Sequence, residues 1–148
     1  MERSRAASLR FLSRLPERAI LEPRTQGKWS VKDSFAHIVA WEEEAARRLK
    51  LIERGRGDRI HFYSDMRAAD RFNARAVRRV RRWSWRALLR RAARVRARLV
   101  ATLFRLPPAA LRDPSHRYPL TAWLPEFCWT HEQSHLARIR AWWRKRGV

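Results

Sequence analysis

The chain has 148 residues, with 35 basic against 14 acidic ones and a net charge of +21. That length predicts one domain over 1–148 with room for a real core, and the single cysteine, Cys128, excludes an internal disulfide framework. No run approaches the roughly 18 consecutive apolar residues of a membrane span, and the first ten residues lack the apolar centre of a signal peptide, so the expectation is a soluble, cytoplasmic protein with no membrane partner.

The periodicity is helical nearly throughout. A first segment runs to about Arg14 and ends at Leu15-Pro16. The second opens with Ser30 and Asp33 spaced as an acidic capping box. Val31, Phe35, Ile38, Ala45, Leu49 and Ile52 form its apolar stripe, Gly55 and Gly57 end it, and His37 sits at the stripe edge. The third segment, from about Met66 to Leu106, is too long for one globular helix. It breaks at Trp83-Ser84-Trp85, with Ser84 capping a piece whose core face is Leu88, Ala92, Val95, Leu99, Leu103 and Leu106. Pro107-Pro108 stops it. The last helix starts between Leu120 and Pro125 and runs to about Arg146. Four helical segments predict an all-α four-helix bundle.

His131-Glu132-Gln133-Ser134-His135 carries the sharpest chemical signal. Two histidines four apart on a helix share one face, within reach of one metal ion. At 100° per residue Leu124, Cys128, Ile139 and Trp142 project within about 40° of His135, with His131 among them. The pair therefore lies in a stripe that should be buried, where an imidazole needs a ligand or a hydrogen bond. A zinc protease would need its third ligand downstream, and Leu136 to Val148 contain no His, Asp, Glu or Cys. The competing reading is a chance spacing of two core histidines.

Gly27-Lys28-Trp29-Ser30-Val31-Lys32-Asp33, Ala36-His37-Ile38 and Trp41-Glu42 together resemble the opening of the second helix in the DinB/YfiT-like superfamily. Phe72-Asn73-Ala74-Arg75, Trp83-Ser84, Trp129-Thr130-His131, His135-Leu136 and Ile139-Arg140-Ala141-Trp142 are similar to its later landmarks, and some relatives are of the ClbS/DfsB type. The resemblance spans about residues 11–143. It implies a four-helix bundle of up-down-down-up topology. It also implies a divalent metal, often zinc or nickel, on His37, His131 and His135. Several members are thiol-dependent transferases or isomerases, so a small-molecule substrate, a thiol cofactor and a metal-dependent transferase or hydrolase activity are implied, with a homodimer as an option. The first helix is shorter than the family leads one to expect, which would place the true N-terminus upstream or trim the bundle.

Each remaining feature has a plainer alternative. Cys128 could complete a Cys128/His131/His135 ligand set, but a lone cysteine more often fills a core position. Glu132 could serve as a general base, but reads better as a solvated or salt-bridged carboxylate. Glu44 lies two turns beyond His37, too far to be a ligand, and His61 and His116 fall in expected loops. Trp142-Trp143 could supply a pocket wall or a dimer seam. Thirteen arginines lie between Arg67 and Arg98, and Arg67, Arg71, Arg75, Arg79, Arg82, Arg86 and Arg90 form a stripe. That stripe is either a phosphate-contacting ridge, making a non-catalytic binding protein for nucleic acid or an acidic partner, or the solvated face of the third segment. Only four basic residues are lysines, leaving 31 arginines, a usage that GC-rich codons would also produce.

Overall fold

A computed structural model describes residues 2–61, 65–112 and 119–147. Among these the α-helices are α1 (Glu2–Leu12), α2 (Glu17–Leu21), α3 (Val31–Glu53), α4 (Met66–Val80), α5 (Trp85–Arg105), α6 (Leu120–Phe127) and α7 (Trp129–Arg144), with no strand. The all-α bundle expected from periodicity is present.

Local chemistry explains most of the boundaries. At the start of α3, Ser30 Oγ accepts from the Asp33 N–H (3.0 Å) and the Asp33 carboxylate accepts from the Ser30 N–H (3.1 Å). At its end the Gly55 and Arg56 amides bond back to the Ile52 and Leu51 carbonyls (2.9 and 2.8 Å), with Gly55 at φ 66°. This is a Schellman ending, in which glycine takes the left-handed conformation without a Cβ penalty. Ser84 caps α5 through the Ala87 N–H, and Asp65 caps α4 through the Ala68 N–H.

Two expectations are corrected. The last helix is broken rather than continuous. Pro125 inside α6 has no N–H to give the preceding turn, and at Cys128 the backbone leaves helical geometry (φ −120°, ψ −97°) before α7 begins. A further one-turn helix, α2, follows Pro16 between the first two expected segments; five residues are too few for a periodic signal.

The core has two apolar clusters. One gathers Leu12, Ile20, Phe35, Ile38, Leu88 and Val95 with Leu136 and Ile139. The other gathers Ala45, Leu49, Ile52 and Leu99 with Leu120, Trp123 and Leu124. α3 and α5 both run from the first cluster to the second, and α6–α7 runs back. Helices α3 and α5 can run the same way because α4, packed on α3, returns the chain between them.

Between the clusters lies a polar layer. Arg5, Glu42, Arg96 and Glu132 come from α1, α3, α5 and α7, and both carboxylates are fully buried. Arg5 bonds Glu42 (2.6 Å) and Glu132 (2.9 Å); Arg96 bonds Glu132 (3.1 Å) and also Glu42. Two positive and two negative charges thus compensate one another out of water, each side chain spanning between helices.

Candidate metal centre

His37 projects from α3, and His131 and His135 from α7, one helical turn apart. Their rings converge. His37 Nε2 lies 2.8 Å and His135 Nε2 3.1 Å from His131 Nε2. The three ring centroids are 4.6 to 4.9 Å from one another. These are the three residues among the described ones that bring His, Cys, Asp or Glu donor atoms together at metal-binding spacing, all within 4.8 Å of one another. His37 is buried, deeper than its expected place at a stripe edge; His131 and His135 are half-buried.

The electrostatics keep all three rings neutral. Burial lowers the His37 pKa to about 3, with the neighbouring His131 and His135 adding to the effect and Asn73 opposing it weakly. His131 is lowered to about 4 by burial, then by His135 and Arg138; His135 is lowered by burial, then by Arg138. Neutral imidazoles are the ligand form. A His131 lone pair facing two other ring nitrogens cannot satisfy both as hydrogen-bond partners, since each neutral ring has one donor and one acceptor. Three lone pairs around one divalent ion remove that conflict. At the usual Zn–N distance of about 2.0–2.1 Å a tetrahedral set has nitrogens about 3.3 Å apart, close to the 2.8 and 3.1 Å that separate His131 Nε2 from the other two. The donor set fits a metal.

Aromatic side chains wall the triad. The Trp29 ring lies 5.0 Å from His37, and Trp41 stands edge-on to His37 and His131 at 6.4 and 6.3 Å. Trp41 Nε1 donates to Asn73 Oδ1 (2.9 Å) and its ring packs on Phe72 and Phe127. His37 Nδ1 and His131 Nδ1 are buried without a hydrogen-bond partner. At those two nitrogens no carboxylate or backbone carbonyl fixes the ring, as one usually does for a metal-binding histidine, and aromatic packing holds it instead.

A family model for the DinB superfamily matches residues 1–139. The chain belongs to the DinB superfamily. No curated protein and no solved structure matches it.

Within this DinB bundle the other candidates separate from the triad. Cys128 is fully buried at the α6–α7 break, outside the histidine cluster, and burial pushes its thiol up to about 12. It is an inert core residue and no mixed ligand set forms. Glu132 enters the polar layer instead of the triad, with both oxygens held by Arg5 and Arg96. It is salt-bridged as expected but buried, and no general base. Glu44 pairs with Arg47 and Arg48 away from the triad. His61 is exposed, its carbonyl accepting from the buried Arg48; His116 lies outside the described residues.

Arg67, Arg71, Arg75, Arg79, Arg82, Arg86 and Arg90 are all exposed along α4 and the start of α5. A cavity of about 600 Å³ also lies away from the triad, between α3 and α5, with Arg47, Lys50, Arg54, Arg98 and Arg105 in its walls. Trp142 and Trp143 are half-buried against the first core cluster, with Arg146 over the Trp142 ring. Sequence reasoning missed Arg5 and Arg96, and saw Glu42 only as part of the Trp41-Glu42 landmark, not as a member of the charge layer. No local signal marks them, because each meets its partners only across the bundle.

Proposed function

We propose that His37, His131 and His135 hold one divalent metal ion, zinc or nickel, and that the protein is a metal-dependent small-molecule enzyme, a thiol-dependent transferase or a hydrolase. The observation that carries this is the meeting of three neutral Nε2 atoms from two helices, in a bundle with DinB membership. Three protein ligands leave coordination positions open, the pattern of catalytic and not structural sites. A metal bound there would supply Lewis acidity and a lowered pKa for a bound water or thiol.

The chain's own residues do the rest. Trp29 and Trp41 exclude water from one side of the triad and leave the His135 side accessible. The Asn73–Trp41 hydrogen bond fixes the Trp41 ring, and the Arg5–Glu42–Arg96–Glu132 layer sets the register of α7 against α3. Register matters here, because a slip of one residue would turn His131 about 100° away from His37. The order of the Gly27–Asp33, Phe72–Arg75 and Trp129–His135 landmarks supports the DinB reading, and a thiol cofactor, as in several members of that superfamily, would be the nucleophile source.

Elemental analysis of tag-free protein tests the reading. About one equivalent of zinc or nickel is expected in the wild type, lost in His131→Ala/His135→Ala while the helical circular dichroism persists. A wild type that stays metal-free after incubation with zinc and with nickel would remove it.

The exposed arginine ridge favours a second reading, in which a non-catalytic surface engages nucleic acid or an acidic partner. Its binding would be sequence-tolerant, salt-sensitive and indifferent to His135→Ala.

A further inference from the structure

A second cluster of unused polar groups adjoins the triad. A cleft of about 200 Å³ opens beside His135, lined by Gln26, Lys28, Trp29, Ser34 and Arg138. No acidic residue lines it. Lys28 and Arg138 are both exposed, and among the described residues neither forms an ion pair, a state they share with most of the basic surface. Arg138 lies close enough to disfavour protonation of both His131 and His135.

The rim that carries Lys28 is a fixed feature. Gln26 and Trp29 bond each other's backbones (2.8 and 3.3 Å) across a two-residue turn in which Gly27 adopts φ 65°. That turn places Lys28 at its tip, with Nζ 5.6 Å from the Trp29 ring centroid. Two further lining residues carry buried donors without partners, Ser34 Oγ and Gln26 Nε2. An unpaired buried donor is costly, and here two of them border two unneutralised cations.

From this arrangement we propose that the cleft is a subsite for the acidic group, carboxylate or phosphate, of the protein's small-molecule ligand. Lys28 and Arg138 would ion-pair with the oxygens, the Arg138 fork being suited to two at once. Ser34 and Gln26 would add neutral hydrogen bonds, and Trp29 an apolar wall. Bound there, the rest of the molecule is directed toward His135 and the convergent ring nitrogens. The substrate class, a small organic anion, rests on the metal-centre reading; the anion subsite does not require a metal.

The test is a titration of metal-free, ¹⁵N-labelled protein with inorganic phosphate and, separately, with acetate, at constant ionic strength. The Trp29 indole and the Lys28 and Ser34 amides are followed. Saturable shifts at these positions are expected, weakened about tenfold or more in Lys28→Gln/Arg138→Gln. Arg10→Gln/Arg94→Gln, which removes the same charge from exposed positions elsewhere, should change the affinity by less than about twofold. Saturation by phosphate alone identifies a phosphoryl group, by acetate alone a carboxylate, and by both a subsite that accepts either anion. Absence of saturable shifts with either anion, or equal weakening in the two double variants, overturns the proposal. Because the titration uses metal-free protein, failure of the metal assay and failure of this one are distinguishable.

Discussion

His37, His131 and His135 behave as they do because of where their backbones put them. Each ring is removed from water and faces two others, so protonating any one places a charge in a desolvated site beside its neighbours. The consequence for stability has a definite sign. In the metal-free protein His37 and His131 titrate at about 3 and about 4, below the unfolded value of 6.5, so between those limits the unfolded chain binds more protons than the folded one. Stability is therefore fully present above pH 6.5 and falls as pH drops. At pH 4.5 the loss should be on the order of 2–3 kcal/mol per ring. Urea midpoints at pH 7 and pH 4.5 measure it, and His131→Gln should show a smaller fall than the wild type. An equal fall in both would mean that the rings are not held neutral.

At the scale of elements, the four central helices are joined by charge as well as by apolar packing. Replacing Glu42 by Leu leaves Arg5 and Arg96 sharing one carboxylate in the interior. The expected cost is about 3–5 kcal/mol, the range for breaking a buried pair from one side. Adding Arg96→Met restores a balanced Arg5–Glu132 pair and should recover much of the loss in a denaturant titration. If the double variant is no more stable than the single one, charge balance is not what the layer contributes. Gly55 is a milder case: a Cβ there meets nothing within 4 Å, but φ is 66°. Gly55→Ala should cost about 1 kcal/mol through backbone conformation alone, read from the same titrations. Helix ends of this kind were legible in the sequence because their chemistry is local. Ser30 with Asp33, Ser84 and Gly55 all act within a few residues. The α6–α7 break was not legible: Pro125 is tolerated in a first turn, and nothing nearby says that the ladder will fail at Cys128 instead of continuing.

For the whole molecule, the +21 charge and the exposed arginine ridge predict adhesion to polyanions independent of the histidine site. Binding of arbitrary duplex DNA should weaken about a thousandfold between 50 and 200 mM salt, unchanged by His135→Ala, as fluorescence anisotropy would show. Sequence selectivity or salt-insensitive binding would contradict that reading. The sequence by itself determined the helical class and most helix limits, because period, caps and breakers are written into neighbouring residues. It also determined which histidines to pair, through the four-residue spacing on one face and the family landmarks. Only the tertiary structure decided that His37 is buried against the other two, and that Glu132 of the H-E-x-x-H run enters a charge layer instead of the triad. Arg5 and Glu132 are 127 positions apart, and Arg96 and Glu42 are 54 apart. Contacts at such separations exist only once four helices have packed, since no local preference of any one residue encodes its partner.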